Sequence, residues 1–103
     1  MATITKTSAR FHDAAGVRMR RIGVYTGPAS YATGGDSFLP GDVSLGTVEF
    51  LSFEMATNGS VFYHVFYDVT NETAIWIVGT TGLEVGNAVD LAAFTCRFEA
   101  VGK

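Results

Sequence analysis

The sequence predicts an all-β chain that folds as one small domain, a β-sandwich or barrel of jelly-roll type with a long irregular loop over residues 27–46. Three observations lead there. Short runs rich in β-branched and aromatic residues follow one another closely, separated by Gly, Asn and Asp clusters, which is how strands joined by tight turns are written. Glycine is abundant, at 12 of 103 residues, while lysine is scarce, a balance that favours strands over helices. Finally, Asn58-Gly59 sits between two strand-like runs, and Asn-Gly is the strongest short-range signal for a hairpin because both residues tolerate positive φ.

That hairpin, Thr47 to Thr70, organises the reading. Its first arm carries Leu51, Phe53 and Met55 on one face. Its second alternates Val61, Tyr63, Val65, Tyr67 and Val69 with Phe62, His64, Phe66 and Asp68, and so is apolar on nearly both sides. A strand with water on one side would alternate cleanly; this one is either central in a two-layer sandwich or covered by another subunit.

The remaining elements follow in order. Residues 1–9 are an edge strand or an arm, with Ile4 facing away from Thr3 and Thr5. A turn at 12–16 leads to Val17–Thr26, where Met19 and Tyr25 oppose Arg18, Arg20, Ile22 and Val24, and Gly23 suggests a bulge or a close backbone approach. Residues 27–46 hold both prolines; Pro40 can open one or two helical turns, and Tyr31, Phe38, Leu39, Val43 and Leu45 make the segment too apolar for disorder, so it should fold back over one end of the sheet. Asn71-Glu72 turns into a buried strand, Ala74–Thr80, with Trp76 as core anchor. Phe94–Val101 closes the domain with Phe94, Cys96, Phe98 and Ala100 on one face, the pattern expected of a half-exposed strand toward an edge.

Composition narrows function. Seven Lys plus Arg against ten Asp plus Glu gives no global footprint for nucleic acid or an anionic membrane, and no window is long and apolar enough to span a bilayer. The expectation is a soluble chain without a cleaved signal, with no nucleic-acid or membrane partner. One cysteine, Cys96, has no intrachain partner and reads as a small core residue.

Chemistry is sparse. Gly35-Asp36-Ser37-Phe38-Leu39 looks superficially like the nucleophile block of GDSL-type hydrolases, but no histidine follows His64, and the α/β context is missing. His12 and His64 have no second His or Cys at ligand spacing, so neither a metal nor a cofactor is expected. The sequons Asn58-Gly59-Ser60 and Asn71-Glu72-Thr73 are explained by turn chemistry. The concentrated charge lies at Arg10, Arg18, Arg20 and Arg21. Arg18 and Arg20 share a strand face and form either a two-pronged grip for carboxylates or a solvated edge that discourages strand pairing. The candidate partner-binding residues are Arg10, Arg18, Arg20, Arg21, Tyr31, Phe38 and Tyr63. A sugar-binding or adhesion module is the rival reading, with Tyr25, Tyr31 and Trp76 stacking on rings.

The strings SYATGGDSFLPGDVSLGTVEFLSFE, FYDVTN and GNAVDLAAFTCRFEAVGK resemble a group of small bacteriophage virion proteins. Tyr31, Thr33, Gly34, Gly35, Asp36, Asp42, Leu45, Phe50, Tyr67, Asp68, Asn71, Asp90, Leu91, Arg97, Gly102 and Lys103 fit that pattern, from about Ser30 to the C-terminus, while Phe38, Pro40 and the long apolar run FYHVFYD depart from it. The resemblance implies a non-enzymatic decoration or cement protein on the capsid exterior, bound to the major capsid protein, without cofactor. An oligomer follows from the doubly apolar strand; the resemblance favours a trimer. A neck or tail component is the further alternative.

Overall fold

Alternating and β-branched stretches form β1 (Thr3–Lys6), β2 (Asp13–Ala15), β3 (Arg18–Thr26), β4 (Asp36–Ser37), β5 (Val48–Phe53), β6 (Ala56–Thr57), β7 (Phe62–Asp68), β8 (Thr73–Val78) and β9 (Thr95–Gly102), with a 3-10 turn at Pro40–Val43. The structure is a computed structural model and describes residues 3–6, 13–15 and 18–103. The named strands belong to one antiparallel sheet, ordered β1-β3-β9-β6-β7-β8-β4, with β2 also against β3 and β5 also against β9. The sheet curls into a half-barrel, the small all-β, barrel-like domain that the residue pattern predicts.

The centre of the sheet is β9. It pairs with β3 from Met19↔Gly102 to Thr26↔Thr95, and on its other side with β5 and, at Thr57↔Thr95, with β6. The expectation of a strand toward an edge is therefore corrected: alternation reports that one face meets solvent and says nothing of position within the sheet. The facing itself is as read, since Phe94, Cys96, Phe98 and Ala100 are all buried.

The hairpin at Asn58-Gly59 exists only at its tip, where Ala56 pairs with Tyr63 and Thr57 with Phe62. Gly59 has φ 104°, but Asn58 is not left-handed; instead its Oδ1 accepts the Ser60 and Val61 amides at 2.9 Å each, closing a four-residue turn in place of type I′. β5 then leaves β7 for β9, with a register shift between Val48 and Phe50. Packing drives this: opposite Phe98, the Phe53 ring lies 5.4 Å from Tyr25 and 5.6 Å from Phe38. Rings at such spacing add about 0.5–1.5 kcal/mol per pair beyond the area they bury.

β3 is not an edge either. β9 flanks it on one side and β1 and β2 on the other, and its register runs unbroken through Gly23, so no bulge forms there. The N-terminal edge strand is present over Thr3–Lys6, with Ile4 packed against the core. Residues 27–46 fold over the sheet as predicted, burying Tyr31, Phe38, Val43 and Leu45. Pro40 opens the 3-10 turn, whose start is tied by the Leu39 amide donating to Asp42 Oδ2 at 2.9 Å. Gly35 is required here: its φ is 121°, and a Cβ would come within 2.6 Å of Thr73 Cβ.

Candidate functional site

Trp76, fully buried at the middle of β8, holds the two long loops through a branched relay. Its ring Nε1 donates to Tyr25 OH at 3.3 Å, and Tyr25 OH donates to Asp36 Oδ2 at 2.6 Å. Its backbone amide donates to Tyr31 OH at 3.2 Å, and Tyr31 OH donates to Glu84 Oε2 at 2.7 Å, which also accepts the Gly34 amide. Burial, and then the carboxylate that each phenol serves, push both tyrosine pKa values far up, so neither phenol ionises near neutrality. Burial raises Asp36 against the opposing pull of the Tyr25 hydrogen bond. Glu84 is held below its ordinary value by the Tyr31 hydroxyl and the Gly34 amide. This is a scaffold, with the polar atoms consumed in positioning loops.

No paired nucleophile and base arises from Ser37 and His64. Ser37 registers with Thr73 and His64 with Ile77, four residues along β8, which is roughly 13 Å. Among the described residues, no group of three His, Cys, Asp or Glu side chains is placed to hold a metal ion. Burial pushes the Cys96 thiol up to about 12, so it stays protonated.

The predicted partner-binding residues do not converge. Arg10 lies outside the described residues, as does the side chain of Arg18. Arg20 stands on the outer face of β3 and pairs with Glu99 at 3.2 Å. Arg21 points inward and is 5% exposed; its Nε donates to the Val43 carbonyl at 3.0 Å and its Nη2 to that of Ser44 at 3.1 Å, fastening the 3-10 turn to β3. Tyr31 and Phe38, at 1% and 0% exposure, are core residues. These three are corrected from surface contacts to internal supports, because a loop rich in aromatics covers the open side of a curled sheet more favourably than it faces water. Tyr63 is half-buried, its ring 4.8 Å from Phe94 and 6.2 Å from Trp76. The aromatics assigned to sugar stacking, Tyr25, Tyr31 and Trp76, are all buried, so that reading loses its platform.

Two outer faces are left, and they differ in kind. Across β3, β9 and β5, charge is paired within the chain: Arg20 with Glu99, and Arg97 Nε with Glu54 Oε1 at 3.1 Å. Across β7 and β8 the outward residues are Phe62, His64 and Phe66, beside Ile77 and Ile75. Phe62 and Phe66 are 52% and 56% exposed, and the His64 ring stacks near Phe66 with centroids 6.3 Å apart. A groove of about 460 Å³ borders this face, lined by Met55, Val61, Phe62, His64, Val78 and Gly79 among others. The carboxylates at its rims are occupied: Asp68 accepts from Thr70 and Asn71, and Glu84 from Tyr31 and Gly34.

The sequence pointed to the second face through the apolar character of Phe62 and Phe66, without placing it outside. The pairings of Arg20 with Glu99 and of Arg97 with Glu54 were missed because they depend on the placing of β3 and β5 beside β9. In comparisons with family models, curated proteins and solved structures, no match to this chain was found.

Proposed function

We propose that the chain is a non-enzymatic decoration or cement protein of a bacteriophage head, acting as a homo-oligomer on the capsid exterior against the major capsid protein. The observation that carries the reading is the uncharged aromatic face of β7–β8 on a small domain whose internal polar groups are committed to holding loops. The resemblance supports it: several of its residues build this scaffold. Tyr31 and Gly34 meet Glu84, Asp36 takes the Tyr25 hydroxyl, Asp68 ties the turn to Asn71, and Asp90 accepts the Ala92 amide at 2.9 Å. A protein that clamps a shell needs a rigid body and gains avidity from multiple copies, and an exposed apolar face on a small domain is where copies can meet. Each copy needs only on the order of 1,000 Å² of total interface for specific attachment.

The test is co-sedimentation with heads that lack this chain, followed by thermal challenge. The reading expects saturable binding to assembled heads, absent with free capsid subunits, and a higher rupture temperature of decorated particles. Protein that ignores heads and attaches to tails or necks moves the assignment there; binding to neither removes it.

A further inference from the structure

We propose that the outer face of β7 and β8 is buried against a second copy of this chain. The inference deepens the oligomeric part of the decoration reading and names the surface. Phe62, His64 and Phe66 project outward on β7 and Ile77 and Ile75 beside them on β8, in an unbroken register from Tyr63↔Val78 to Asp68↔Thr73. Such a two-stranded ledge is the geometry with which one sheet packs on another, side chains interdigitating across about 10 Å.

Area favours this occupant. Phe62 and Phe66 are half exposed, and Val61 and Met55 are each 45% exposed at the adjoining groove. With aromatic side chains presenting roughly 150–250 Å² each, these four together leave on the order of 400 Å² of apolar surface in water, before the isoleucines and His64 are added. That matches the largest patches seen on monomers, about 300–600 Å², and is half of the roughly 800 Å² per partner of a standard interface.

Charge points the same way. The ledge carries no Asp, Glu, Lys or Arg from Phe62 to Phe66 or from Ile75 to Ile77, and its rim carboxylates are already hydrogen-bonded within the chain. A partner selected by charge finds nothing to recognise at the centre of the ledge. A copy of the same ledge needs nothing but apolar surface, and the centre of the ledge is a place where two molecules of net charge −3 meet with their carboxylates, Asp68 and Glu84 among them, kept to the rim.

The experiment is sedimentation velocity across a micromolar concentration series on the full chain, comparing wild type, Phe62→Ser/Phe66→Ser, and Phe50→Ser. Phe50 is the control: it is as exposed as Phe66, at 56%, but lies on β5 among the paired charges. Wild type and Phe50→Ser are expected to associate alike, and the double variant to dissociate, its dissociation constant rising at least about thirtyfold as for the loss of two central aromatic anchors. Trp76 emission checks the fold. If the double variant does not fold, His64→Asp sets a charge in the middle of the ledge while leaving both phenylalanines in place, and carries the same expectation. A wild type that stays monomeric, or a ledge variant that associates as wild type does, overturns the proposal. Head binding measured on the same samples separates the two readings. Monomers that bind heads sink the self-contact and keep the decoration function, and if that binding is lost in the ledge variant, the face belongs to the shell. Association through the ledge by a protein that ignores heads does the reverse.

Discussion

The outer face of β3–β9–β5 and the outer face of β7–β8 are built from the same kind of strand and have opposite chemistry. On the first, arginines and glutamates meet across strands, and exposed pairs of this kind contribute about 0.2–1 kcal/mol at most. On the second, aromatic side chains stand in water with no charge among them, and the cost of that exposure is recovered only when something covers them. The lesson is that two members of the conspicuous arginine cluster, Arg20 and Arg21, serve contacts within the fold, whereas the quieter apolar run stands on a surface open to solvent.

The sharpest way to break this comparison is at Arg21, which belongs to the charged strand but faces inward. Arg21→Met leaves the Val43 and Ser44 carbonyls without the guanidinium that serves them, and should cost about 2–4 kcal/mol in urea unfolding, far beyond any exposed pair. A loss below about 1 kcal/mol, as a surface arginine gives, contradicts its assignment as a support. Next in size is Tyr25→Phe, which strands Trp76 Nε1 and releases Asp36; about 1–3 kcal/mol is expected, with a change in Trp76 emission.

A pH prediction follows from Glu84. Its folded pKa lies below the ordinary value of 4.5, so its contribution to stability is complete above that pH and is lost as pH falls through the depressed folded value. Glu84→Gln should therefore flatten the acid limb of a stability profile below about pH 4.5, and an unchanged limb contradicts the role of the Tyr31 and Gly34 bonds. Asp36 acts in the opposite sense: burial raises its folded pKa, so its ionisation opposes folding as pH rises, and Asp36→Asn should leave the protein at neutral pH as stable or more so. The smallest effect is at Arg20. Arg20→Ala breaks a half-exposed pair and should shift stability by less than about 1 kcal/mol, and that little should vanish in high salt.

Much of this was legible in the residues. Facing on β9, the burial of Trp76, the folding-back of residues 27–46 and the all-β class follow from alternation and turn chemistry. Strand neighbours did not, because period-2 alternation is silent about which strand lies alongside: β9 read as peripheral and is central, and β5 read as the partner of β7 and pairs with β9. Arg21 illustrates the same limit from the other direction. Arg21 read as surface charge beside Arg18 and Arg20, although it shares the parity of Met19 and Tyr25; only the arrival of the Val43–Ser44 carbonyls makes a buried guanidinium tolerable, and that contact joins residues far apart in the chain. Phe62 and Phe66 posed a choice between a two-layer core and a subunit contact; the structure leaves both rings half exposed, with the opposite side of β7 facing the core.

The most direct test of the account is a reconstruction of decorated heads at a resolution that shows strands. The account predicts density for this chain on the exterior, at junctions between capsomers, with the β7–β8 ledges of neighbouring copies turned toward each other and the charge-paired face of β3–β9–β5 outside that contact. Copies whose ledges face solvent, or density confined to the neck or tail, would contradict it.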